Sequence, residues 1–172
     1  MGYMEIAILP HTSLKIKGKY ALLGIDPQDN SPYNGAILLG NLTGKVNQPK
    51  ETVVISGPGE YEIGGVKMTG MRNEEDVLYS MNIDGVEVLL GKVKTLEKMQ
   101  HKLKEHNIVV VNCDNVTDSS FLTSLASNVV LFYGEKATEL SQTFGRDNVK
   151  KMSKFSTVRD KLPAEVETVV LA

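Results

Sequence analysis

Hydrophobic and polar positions change rhythm about halfway along this chain. In the first half, short apolar runs and alternating segments predict strands over residues 3–9, 13–17, 20–25, 36–39, 52–55, 60–63 and 66–70. A loop dense in Asp, Asn, Pro and Ser spans 26–34, and a second loop covers 40–51. Two further strands, 77–83 and 86–90, flank Asp84-Gly85, a two-residue hairpin signal. In the second half strands and helices alternate. Leu96, Met99 and Leu103 give helical spacing over 95–105. Ile108–Asn112 is apolar enough to be covered on both faces. Asp118 is placed to cap a helix running to residue 127, with Phe121, Leu122 and Leu125 inward. A strand at 129–133, a helix at 136–144 ending at Gly145, and a strand at 166–171 complete the pattern. Pattern alone predicts an α/β or α+β fold.

The run from Thr52 to Val66, TVVISGPGEYEIGGV, carries the most specific signal. Pro58 presets φ at the first central turn position and Gly59 permits positive φ at the second, which predicts a type II turn between two strands. Gly64-Gly65 is read as a bulge or sharp bend. Glu60 and Glu62 alternate and therefore share a face.

This motif resembles a segment of the small zinc-dependent, hydrolase-like branch of the metallo-β-lactamase-fold superfamily. Two outer stretches fit the same resemblance in order. Ile6 to Ser13 with Ile25-Asp26-Pro27 looks like the family's opening, and Lys161 to Leu171 like its closing strand. The resemblance implies a compact αββα sandwich of two sheets with helices outside. It also implies a zinc centre built on a His-x-His-x-Asp-His loop after a hydrophobic strand.

The ligand slots are where the sequence departs from the family. After Ala36 to Leu39, the loop positions that match the ligand motif hold Asn41, Thr43, Lys45 and Val46. The slot of the bridging Asp, after Leu90-Gly91, holds Lys92, and the late His corresponds to Gly134. A lysine ammonium in a cation site opposes metal binding. The expectation is therefore that zinc, the family's cofactor, has been lost and that no catalytic residue replaces it. His11 matches a histidine that lies near the family's site. Together with Asp26 and Glu60 it forms a candidate residual pocket, and Lys92 or Lys45 is expected to pair with Asp26 or Glu60. The carboxylates Glu74-Glu75-Asp76 are read as a solvated loop, in a region where the family carries a longer insertion.

Composition adds limits. The 172 residues suffice for one domain over 1–172 with a real core. Nineteen basic and 21 acidic residues leave a net charge of −2, which gives no global pull toward nucleic acid or an anionic membrane. The lysines at 92–104 lack interleaved aromatics, and those at 150–161 are likewise read as a surface face. No apolar run has transmembrane length. The single cysteine, Cys113, fits a reducing cytoplasm and is read as a small buried hydrophobe. His101 and His106 are read as solvated surface residues. The functional expectation is a non-catalytic binding or assembly module, acting as a homo-oligomer or with a protein partner. The alternative is a hydrolase of the superfamily with an unconventional or metal-free site around His11 and Asp26.

Overall fold

A computed structural model describes residues 3–40, 48–115, 118–125 and 127–172. Two sheets face each other. The first has strand order β13-β1-β2-β3-β4-β5. It comprises β1 (Met4–Leu9), β2 (Ser13–Lys17), β3 (Leu22–Ile25), β4 (Gly35–Ile37), β5 (Val53–Ile55) and β13 (Lys154–Thr157). The second has strand order β12-β14-β11-β10-β9-β8-β7-β6. It contains β6 (Gly59–Ile63), β7 (Val66–Asn73), β8 (Asp76–Ile83), β9 (Val86–Lys92), β10 (Ile108–Asn112), β11 (Val129–Tyr133), β12 (Val149–Met152) and β14 (Glu167–Leu171). Helices α1 (Val93–Met99) and α2 (Ala137–Gly145) both pack on the second sheet. This is the two-sheet sandwich with outer helices, in a compact form.

Period-two alternation explains the layering. On β8, Val77, Tyr79, Met81 and Ile83 enter the core between the sheets, while Leu78 faces the helices. The central strands β9, β10, β11 and β14 are parallel or join parallel neighbours and are buried on both faces. Val110 and Leu131 fill the inter-sheet core, whereas Val109, Val111, Val130 and Phe132 pack under α1 and α2. The continuous apolar runs read from the sequence are the result.

Several local expectations change. Gly64 and Gly65 adopt φ of 55° and 80° and form a two-residue hairpin turn joining the paired residues Ile63 and Val66, the sharp bend of the two expected readings. Asp84 and Gly85, at 51° and 86°, form the expected hairpin turn. Residues 95–105 form a shorter helix, α1, followed by a 3-10 turn at Gln100–Lys102, because Gln100 already closes the last α-turn and Leu103 is extended. The helix expected from Asp118 is a 3-10 segment, Ser120–Ser124, whose N-cap is Ser119 with no side-chain cap bond; Asp118 stands one residue earlier and accepts from the Ser120 N–H at 2.9 Å. Strands β12 and β13 were not anticipated. Their lysines obscure the alternation, and only Ser153 separates them as the chain passes from the edge of one sheet to the edge of the other. No helix among the described residues is long and apolar enough to cross a membrane.

Candidate functional site

The site lies where parallel strands end together. Register aligns Asn112 with both Lys92 and Tyr133, so β9, β10 and β11 deliver these residues in one row at their carboxyl ends. In open α/β sheets this edge is where ligands bind. Counting back by twos from this row, Leu90, Val110 and Leu131 face the inter-sheet core. Asp26 comes from the opposite sheet, just after β3. It sits at φ 46°, with its N–H donating to the Ile37 carbonyl at 2.9 Å and its Oδ1 accepting from the Leu39 N–H at 3.2 Å.

Lys92 is held by Asp76, with Nζ 2.9 Å from Oδ1 and both side chains one-third exposed. The expected partner, Asp26 or Glu60, is thus not the one found. Asp76 is not in a solvated loop either: it opens β8, because β7 and β8 continue until a turn at Glu74 and Glu75. A Cβ on Gly40 would lie 3.2 Å from Lys92 Nζ, so the ammonium packs against the chain at Gly40. Asn41, Thr43, Lys45 and Val46 lie outside the described residues.

Burial is the main effect on Asp26. It pushes the carboxyl up to about 6, against a lowering by the Leu39 N–H and by Lys92, while Asp114 and Asp76 raise it further. The Tyr133 hydroxyl is also pushed well up by burial, and Asp26 adds to this. Tyr133 is 1% exposed, and its hydroxyl is faced by the Asn112 side chain, which opposes the rise without forming a well-made hydrogen bond to it. Cys113, beneath them, is raised to about 12 by burial and is therefore an unreactive thiol at neutral pH.

These residues do not fit a dinuclear metal centre. Among the described residues no three His, Cys, Asp or Glu side chains gather around a point. The Lys92 ammonium is a donor-only group beside the two nearest carboxylates. Gly134 is at φ 105°, and a Cβ there would lie 3.2 Å from the Cys113 nitrogen, so no larger side chain takes that position without strain.

His11 lies on the turn into β2, whose Leu14 pairs with Ile25 next to Asp26, whereas Glu60 lies on another strand. Exposed His11 is at φ 63° in a 3-10 turn after β1. Glu60 lines a shallow groove of about 490 Å³ on the outer face of β6–β9, with Glu62 and Lys67. His106 is not a solvated surface histidine: it is 5% exposed and bonded on both ring nitrogens. The Asp76–Lys92 pair spans 16 residues and left no local signal in the sequence.

No protein-family model matches the sequence, and no curated protein does. Solved structures do match. A Thermotoga maritima protein placed among the Zn-dependent hydrolases of the metallo-β-lactamase superfamily aligns at a TM-score of 0.73 with 17% identity, over 98% of each chain. A Parabacteroides distasonis protein described as a metal-dependent hydrolase aligns at 0.59 with 12% identity, over 96% of this chain and 92% of that one. The metallo-β-lactamase fold protein YhfI of Bacillus subtilis aligns at 0.55 with 7% identity, over 97% and 96%. The two facing sheets, the parallel carboxyl-end row and these alignments together establish that this chain has the metallo-β-lactamase fold.

Proposed function

We propose that this chain is a binding or assembly module whose former metal centre is non-catalytic, acting as a homo-oligomer or with a protein partner. The observation that supports this reading is the Lys92–Asp76 ion pair at the edge of the sheet beside Asp26. By the sequence resemblance, Lys92 stands where a bridging carboxylate would. A tethered ammonium offsets the surrounding carboxylates as a cation would, but it neither activates water nor polarises a carbonyl as a Lewis acid does. The scaffold then persists without that chemistry.

The test is metal content by plasma mass spectrometry, before and after zinc loading and desalting, together with mass in solution by light scattering. Less than about a tenth of an equivalent of metal, with a dimer or larger species, supports the reading. One or two equivalents, or a monomer that captures no partner, overturns it.

A second reading, a hydrolase with an unconventional or metal-free site, draws on Asp26. A carboxyl near 6 is suited to moving protons at neutral pH. It requires turnover that is lost in both Asp26→Asn and His11→Ala.

A further inference from the structure

A different part of the fold holds a paired serine and histidine. Ser80 lies mid-strand on β8, on the face away from the inter-sheet core, and His106 lies just before β10. Ser80 Oγ is 2.8 Å from His106 Nε2, and His106 Nδ1 is 2.9 Å from the Lys104 carbonyl oxygen. A carbonyl only accepts, so Nδ1 carries the proton. In the neutral ring Nε2 is then the acceptor, and the Ser80 hydroxyl donates to it. The ring is thus fixed in the tautomer that can take a proton from the serine. This is nucleophile, base and orienting group in one line.

The surroundings fit a small substrate. Ser80 and His106 border a cavity of about 260 Å³ with apolar walls from Met71 and Leu103 and cations from Lys102 and Lys104. Lys104 reaches Glu87 at only 4.0 Å, and among the described residues Lys102 makes no ion pair. Ser80 is part-exposed while His106 is 5% exposed, so the nucleophile is reachable and the base is sheltered.

From this geometry we propose that Ser80 and His106 form an acyl-transfer dyad, independent of the former metal centre, for small esters with a short apolar acyl group and an anionic remainder. Ser80 Oγ attacks the ester carbonyl as its proton passes to His106 Nε2. The ester C–O bond then breaks, and the leaving alkoxide takes that proton. Water, deprotonated by the same nitrogen, hydrolyses the acyl-serine and restores both groups. Lys102 and Lys104 are the available charges for the oxyanion.

The test uses the full chain with a fluorophosphonate probe and with p-nitrophenyl acetate, read by intact mass, peptide mapping and nitrophenolate release. The expected result is one adduct, on Ser80, absent in Ser80→Ala and slowed at least tenfold in His106→Gln. Chelator and Lys92→Met should leave it unchanged, which separates this activity from any at the metal-site position. His106 ionises below its ordinary value because burial disfavours the cation, with Lys104 lowering it further and the Lys104 carbonyl and Glu87 acting the other way. Wild-type labelling should therefore rise to a plateau with a midpoint below about 6.5, a readout that survives if His106→Gln fails to fold. No adduct, an adduct elsewhere, equal labelling in folded His106→Gln, or a pH profile without that midpoint overturns the proposal.

Discussion

Asp76 and Lys92 stand at the same end of two neighbouring antiparallel strands, the first residue of β8 and the last of β9, and meet with Nζ 2.9 Å from Oδ1. The pair is one-third exposed on each side, so its direct contribution is discounted to about 0.5–1 kcal/mol. Both members also act on Asp26, whose carboxyl Lys92 holds down and Asp76 raises. Lys92→Met should therefore move the Asp26 titration above about 6, followed by carboxyl carbon NMR. An unmoved titration would show that the ammonium does not act on Asp26.

Asp26 itself gives a pH dependence of defined sign. Its native pKa, about 6, lies above the ordinary 3.8, so the native state holds a proton that the unfolded chain has released. The stabilisation is complete below about 3.8 and is lost as pH rises through about 6; the difference corresponds to about 3 kcal/mol. Asp26→Asn keeps an acceptor for the Leu39 N–H and removes the ionisation. Urea unfolding should find that variant more stable than the parent above about pH 7 and less pH-dependent between about pH 4 and 7. Lower stability at both ends would contradict this.

Two buried tyrosines should respond in opposite ways to loss of their hydroxyls. Tyr79 donates to the Leu38 carbonyl at 2.9 Å and so ties the second sheet to the chain beyond β4. Tyr79→Phe leaves that buried carbonyl short of a partner and should cost about 1–2 kcal/mol in chemical denaturation. The Tyr133 hydroxyl makes no well-formed hydrogen bond among the described residues, with only the Asn112 side chain acting on it. Tyr133→Phe should be neutral or stabilising by about 1 kcal/mol. Equal losses would mean that Tyr133 has a bridging partner.

The Gly64-Gly65 turn separates crowding from backbone strain. A Cβ at Gly64 would lie 2.5 Å from the Tyr20 carbonyl oxygen and 2.7 Å from the Ala21 Cβ, whereas at Gly65 nothing lies within 4 Å. Both residues have positive φ. Gly65→Ala should lower stability by about 1 kcal/mol. Gly64→Ala should lower it by about 3 kcal/mol, since backbone must also move. Melting of the two variants side by side checks the order.

What the sequence made legible follows from how local each signal was. Asp84-Gly85 announced its hairpin because a two-residue turn between alternating strands has few solutions. The buried run Ile108–Asn112 was equally plain. Gly64-Gly65 left a bulge and a bend both open because the same residues serve either, and only the pairing of Ile63 with Val66 decides between them. The edge strands β12 and β13 hid behind lysines that blunt exposed ladders. Lys150 pairs with Glu167 and Lys154 with Glu5, so part of that basic stretch is neutralised. In the site, Lys92 and Gly134 could be singled out only through the resemblance, and the partner Asp76 could not. Ser80 and His106 are 26 residues apart and meet only because β8, β9 and β10 are adjacent.

The passage of the chain through Ser153 has a consequence for synthesis. β1 pairs with β13, joining Met4 to Thr157 and Ala7 to Lys154. On the ribosome, β1 and β2 can form their ladder early, but the outer side of β1 stays open until β13 has emerged. Ile6 and Ile8 then await Phe155 and its neighbours with one edge bare. The nascent chain, more than the finished molecule, is therefore the form most exposed to edge-to-edge self-association, and the emergence of β13 ends that interval.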